Sequence, residues 1–118
     1  MVGDWDDVYK KGQTTFWVLL ALYDGKKYMN QIDDFINKAT SNHFQIREQS
    51  LYRALRRFHG MGLVTLESIP SPRGPDRKCY SLTETGKIVL ARFSSLNINP
   101  LYEDHTVQLI QSLTQEKS

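Results

Sequence analysis

The chain has 118 residues, 40% of them apolar and 24% charged, and carries a net charge of +2; this is the balance of one ordinary soluble domain and excludes a two-domain enzyme. Its longest apolar run, residues 16–23, stops after eight residues, far short of the roughly 20 that a bilayer span needs, so no membrane partner is expected. The single cysteine, Cys79, excludes an internal disulfide and any site built on several thiolates. Residues 1–7 are acidic and show neither the basic start nor the apolar core of an export signal, so a cytoplasmic location is expected. Charge is unevenly distributed: residues 47–92 hold nine basic side chains, seven of them arginine, against four acidic ones, while both flanking segments are net acidic. Clustering of this kind is the electrostatic footprint of a phosphate-binding surface.

Periodicity predicts a first helix over residues 8–23, with Tyr9, Phe16, Leu20 and Tyr23 on one face and Trp17, Val18, Ala21 and Leu22 on the other. A helix apolar nearly all round must be buried on two sides, its second face against another subunit or a terminal helix. Asp24-Gly25-Lys26-Lys27 reads as a turn, and a second helix follows over residues 28–39, with Met29, Ile32, Phe35, Ile36 and Ala39 at intervals of three and four. After a loop at Thr40-Ser41-Asn42-His43, a third helix starts near Glu48 with Arg47 in the cap position. Leu51, Leu55 and Phe58 form its apolar stripe, Ile46 can staple to Leu51, and Gly60 and Gly62 end it. Residues 63–69 and 77–82 read as the two strands of a hairpin. Between them Pro70-Ser71-Pro72-Arg73-Gly74-Pro75-Asp76 holds three of the four prolines and reads as a stiff loop presenting an arginine. Thr83 caps a fourth helix carrying Ile88, Val89, Phe93 and Leu96. Asn99-Pro100 is the expected start of a fifth, with Glu103 and Asp104 at its positive end and Tyr102, Leu109, Ile110 and Leu113 as its stripe.

The predicted fold class is therefore mainly α with a small β-hairpin (α+β), in the element order of a winged helix-turn-helix. Turning Leu51, Leu55 and Phe58 inward places Gln49, Arg53 and Arg56 on the outward face of the third helix, with Tyr52 and Arg57 at its flanks. Arginine can pair bidentately with guanine and glutamine with adenine, so this face has donors suited to a major groove of double-stranded DNA. Arg73 at the loop tip, with Arg77 and Lys78 behind it, is placed for phosphates or a minor groove. Another class fits the same charges: a winged-helix module whose basic face meets an acidic protein, without sequence-specific DNA binding.

Further along, the residues resemble the PadR-type transcriptional regulators. The resemblance rests on Ser50-Leu51-Tyr52-Arg53-Ala54-Leu55-Arg56-Arg57, then Gly62-Leu63-Val64, Gly74, Arg77-Lys78-Cys79-Tyr80 and Leu82-Thr83-Glu84-Thr85-Gly86. It implies a homodimeric repressor on an inverted-repeat operator, with residues 1–96 as the DNA-binding domain and 97–118 as a C-terminal dimerisation helix. By position it assigns Gln49, Ser50, Tyr52, Arg53 and Arg56 to the major groove or its edge and Arg73, Gly74, Arg77 and Lys78 to the wing; Arg57, at the flank of the same face, is a further DNA-binding candidate. The dimer interface would take Trp5, Tyr102, Leu109, Ile110 and Leu113. Members of the short subfamily often sense small aromatic or cationic effectors at that interface; Tyr9, Phe16, Trp17, Leu20 and Leu96 are candidate walls, although aromatic stripes at helical spacing are more often packing, and the same residues read first as plain dimer core. The sequence departs from the family pattern at Phe58-His59, at Cys79, at Met29-Asn30-Gln31 and at Asn97-Ile98-Asn99-Pro100.

No enzyme motif competes. His43, His59 and His105 lie in different elements without metal-ligand spacing, and there is no phosphate-cradling glycine loop or nucleophile elbow. Neither metal nor cofactor is expected.

Overall fold

The computed structural model describes residues 2–116, with side chains from residue 11 to residue 115. Helix α1 (Val2–Asp24) leads into a two-residue strand β1 (Lys27–Tyr28), then α2 (Met29–Ala39) and α3 (Glu48–Gly60). Strands β2 (Val64–Ser71) and β3 (Gly74–Leu82) precede α4 (Glu84–Asn97), a 3₁₀ helix (Asn99–Tyr102) and α5 (Asp104–Glu116). The sheet is antiparallel in the order β1-β3-β2. Val18, Leu19, Ala21 and Leu22 of α1 meet Ile32 and Ile36 of α2, Leu51, Ala54, Leu55 and Phe58 of α3, Leu63 of the turn before β2, Val64 and Tyr80 of the sheet, and Leu90 of α4 in one core. The second side of α1 is closed mainly by α4, where the Phe16 and Phe93 rings stack with centroids 5.9 Å apart. Cys79 is buried in β3, as a small packing residue.

Four expectations are corrected. Helix α1 starts at Val2 rather than residue 8. Lys27 is no longer a turn residue: with Tyr28 it forms β1, pairing Lys27 with Tyr80 and Tyr28 with Cys79, so the hairpin is a three-stranded sheet at its base. Two residues leave no periodicity to read, and only β3 specifies them. The proline-rich loop is also shorter than expected. Strand pairing continues to Ser71 and Gly74, leaving Pro72 and Arg73 as the turn. Pro70 falls at a register irregularity in the edge strand β2, and Pro75 lies beyond the reach of β1, so neither removes a ladder hydrogen bond that the sheet needs.

The fourth correction concerns Asn99-Pro100, which opens a 3₁₀ helix instead of α5. Tyr102 belongs to that helix, and α5 begins at Asp104 with the Glu103 carboxylate accepting from the Thr106 hydroxyl at 3.1 Å. Helix α5 packs mainly against the 3₁₀ helix and leaves Leu109, Ile110 and Leu113 exposed. The chain accordingly extends 55 Å along its long axis, with a radius of gyration of 16.5 Å, above the roughly 13 Å usual for a compact chain of about 100 residues.

Candidate nucleic-acid interface

Helix α3 has no side-chain cap at Arg47, but its far end is tightly specified. Gly62 takes φ +76°, the Leu63 N–H donates to the Phe58 carbonyl at 2.9 Å and the Gly62 N–H to the His59 carbonyl at 3.1 Å. This left-handed turn reverses the chain straight into β2. At the other end Ile46 packs on the core that contains Leu51, as the staple required. With Leu51, Ala54, Leu55 and Phe58 buried, Gln49, Arg53 and Arg56 stand on the exposed face, and Ser50, Tyr52 and Arg57 are exposed on its flanks.

Electrostatically this face is uncompensated. Among the described residues the ion pairs are Lys27–Asp24, Lys38–Asp34 and Lys87–Glu84, all formed by lysines and none by an arginine of α3 or the wing. An exposed guanidinium with no carboxylate at hand keeps its donors for a ligand oxygen.

The two flanks of α3 differ. On one side Lys11 and Thr14 of α1, Phe44, Gln45, Ile46 and Arg47 of the preceding loop, and Ser50, Arg53 and Arg57 of α3 line a groove of about 490 Å³ that contains no carboxylate among the described residues. Lys11, Gln45 and Arg47 were not legible as site residues: Arg47 read as a helix cap, and nothing in the spacing of Lys11 ties it to α3. On the other side Tyr52 leans toward the wing, with the Arg56 guanidinium 5.9 Å and the Lys78 ammonium 5.7 Å from its ring centroid. Arg77 does not point free. Its guanidinium lies 3.9 Å over the Tyr28 ring and donates from Nη2 to Asn30 Oδ1 at 3.0 Å. Arg73 and Gly74 are exposed at the wing tip.

Tyr80 sits behind this surface. Burial, and after it the neighbouring Tyr52, push its phenol above the usual value of 10.0. The folded chain therefore holds Tyr80 neutral where the unfolded chain would ionise it. Its contribution to stability is intact below pH 10.0 and is lost as pH rises through the folded value. In urea unfolding across that alkaline range, Tyr80→Phe is expected to flatten the decline; an unchanged slope would remove Tyr80 as its source.

The effector candidates are divided. Phe16 and Trp17 touch edge to face at 5.1 Å, the Trp17 indole N–H donates to Gln13 at 2.9 Å, and Leu20 is half-buried against the core, whereas Leu96 is 65% exposed on α4. The Tyr9 and Trp5 side chains lie outside the described residues. Tyr102, Leu109, Ile110 and Leu113 are all exposed. Among the described residues no helix is long and apolar enough to cross a membrane, and no cluster of His, Cys, Asp and Glu could hold a metal ion.

Three helices, the last with an arginine-rich outward face, followed by a two-stranded ribbon and a returning helix, make a winged helix-turn-helix DNA-binding fold. The chain belongs to the transcriptional regulator PadR-like family, whose profile matches residues 18–92. Members of that family regulate transcription and are not enzymes. The fold is similar to that of a transcriptional regulator from Clostridium thermocellum, with 20% identity, TM-score 0.68 and 93% of each chain covered. A PadR-like transcription factor from Bacteroides fragilis shares 21% identity at TM-score 0.67, covering 98% of this chain and 99% of the other. Bacillus subtilis PadR, solved in complex with operator DNA, shares 19% identity at TM-score 0.61, over 67% of this chain and 45% of that one. No curated protein matches the chain in sequence.

Proposed function

We propose that this PadR-like regulator is a homodimeric repressor that reads an inverted-repeat operator through α3 and touches flanking phosphates through the wing. The observation that carries this reading is the face of Gln49, Arg53 and Arg56, with Tyr52, Ser50 and Arg57 beside it and, among the described residues, no carboxylate partner for its arginines. Gln49, Arg53 and Arg56 are assigned to base edges; Ser50, Arg57, Arg73, Gly74 and Lys78 are assigned to the backbone, joined by Lys11 and Arg47 from the groove. Residues 1–96 form the DNA-binding domain in this reading and 97–118 the dimerisation segment. Support for the latter is the exposed run of Leu109, Ile110 and Leu113 on a helix with little of its own chain to pack on. Two-fold pairing would set the α3 helices roughly 34 Å apart, one DNA turn. A small aromatic or cationic effector at the interface of the two copies completes the proposal, with Leu96 and the rings of Phe16 and Trp17 as its walls.

The decisive experiment compares binding to duplex DNA from upstream of the protein's own coding sequence with binding to random duplex over a salt series. Tighter binding to the upstream DNA, falling steeply with salt, is expected. Equally weak, salt-insensitive binding to both would overturn the operator reading and favour an acidic protein partner. Within that assay Arg53→Ala or Arg56→Ala should cost about 1–3 kcal/mol on the operator and much less on random DNA. Equal losses on both duplexes would remove the base-reading role.

A further inference from the structure

The wing stands on a narrow base. Strand β1 reaches β3 only at Tyr80 and Cys79, so beyond Cys79 the sheet is a ribbon of β2 and β3 alone. A two-stranded ribbon twists freely and is marginal in isolation. Arg77 is two residues past the last β1 pairing, at the point where the three-stranded sheet becomes the ribbon. From there its side chain folds back across the junction, covering the Tyr28 ring at 3.9 Å and bonding Asn30 at 3.0 Å. Both partners open the first helix of the helix-turn-helix pair. The Tyr28 N–H is held at 2.9 Å by the Gln31 side chain, so its ring is carried by the start of α2. One planar cation thus joins the ribbon to the helical unit through its face and its edge together. A lysine could not reproduce this, because an ammonium has neither a stacking face nor a fixed fork of donors.

We infer that Arg77 is a positioning residue: with Tyr28 and Asn30 it latches the wing to the helix-turn-helix and sets the angle at which Arg73 and Lys78 meet a DNA backbone. The inference rests on the operator reading for its consequence, but the latch belongs to the free protein. Arg77 carries no phosphate contact of its own.

The test has two arms. In the free protein, amide hydrogen exchange is followed in β2 and β3 beyond Cys79, with the amides of α1 and α3 as the control for global unfolding. Arg77→Ala, Arg77→Lys and Tyr28→Leu should each speed exchange in the ribbon about ten-fold while leaving α1 and α3 unchanged. Tyr28→Phe, which keeps the ring, should match wild type, and Arg77→Ala combined with Tyr28→Leu should be no faster than either alone. Ribbon exchange that stays at the wild-type rate in Arg77→Ala overturns the latch. In the DNA arm the same three variants should bind the operator several-fold more weakly with an unchanged salt slope. A slope shallower by about one in Arg77→Ala, with Arg77→Lys and Tyr28→Leu both like wild type, would instead make Arg77 a phosphate contact and overturn the proposal. Should wild type itself show no salt-dependent binding to duplex DNA, the operator reading falls, and the exchange arm still decides the latch.

Discussion

Replacing Leu109 and Leu113 together by glutamate is expected to turn the proposed dimer into monomers and to lower operator affinity by about 10²–10⁴-fold. The size follows from what dimerisation supplies. Each half-site engaged by a dimer is presented at the effective concentration set by the other, and a monomer loses that gain entirely. The two leucines are 58% and 59% exposed, with Ile110 beside them, on a helix that packs chiefly against a four-residue 3₁₀ helix. Fully burying one leucine contributes about 1.5–3 kcal/mol, and a carboxylate placed in the same dry seam costs more than that gain. Glutamate is a good helix former, so α5 itself should persist and circular dichroism should be unchanged. Sedimentation reads the result directly: a species still at dimer mass would show that the seam lies elsewhere, with the exposed Leu96 and Ile88 of α4 the next surface to test.

Two glycine-to-alanine substitutions are expected to move stability in opposite directions. Gly86 lies in the first turn of α4, where a Cβ would press on the Leu63 carbonyl oxygen and come within 2.6 Å of Leu82 Cδ1. That carbonyl cannot yield readily, since it already accepts from the Thr83 N–H at 3.0 Å. The Thr83 hydroxyl, in turn, accepts from the Gly86 N–H at 2.9 Å and donates to the Gly62 carbonyl at 2.7 Å, tying the helix start to the turn before β2. Relief would require α4 to move away from the sheet and from α1, so Gly86→Ala should cost about 3 kcal/mol or more, at the upper end for overpacking. Against a total stability of about 5–15 kcal/mol, that is a large share of what holds the fold, and the denaturant midpoint should fall clearly. Gly12, in the middle of α1, has nothing within 4 Å of the same Cβ. There the helix preference of alanine acts alone, and Gly12→Ala should stabilise by up to about 1 kcal/mol. Denaturant midpoints for the two variants give the signs; a gain for Gly86→Ala would refute the close approach of α4 to Leu63 and Leu82.

Much of the basic α3 face was legible from local sequence alone. The α3 stripe of Leu51, Leu55 and Phe58 and its closing Gly62 are local signals, and the outward position of Gln49, Arg53 and Arg56 follows from helical period alone. Thr83 as the cap of α4 was legible for the same reason, as a hydroxyl beside the first turn it bonds. Where reading failed, the missing information was contact with a distant part of the chain. Strand β1 exists because β3 offers Cys79 and Tyr80 as partners, and the wing strands run past Pro70 and Pro75 because no third strand demands their missing N–H groups. Asn99-Pro100 carried a sound start signal for α5, yet the helix it opens stops at Tyr102, and Glu103 restarts the chain as α5.

By itself, then, the sequence determined the family, the winged order of elements and the polarity of the outward α3 face, because each depends on neighbours three or four residues apart or on an ordered set of short motifs. The tertiary structure decided which wing cations remain free. Arg73, Arg77 and Lys78 are alike as letters, but Arg77 is drawn onto Tyr28 and Asn30, the latter 47 residues away, while Arg73 stays at the open tip. The direction in which a long cationic side chain folds is set by the ring and the amide it finds across the sheet, and those arrive only when the chain has folded.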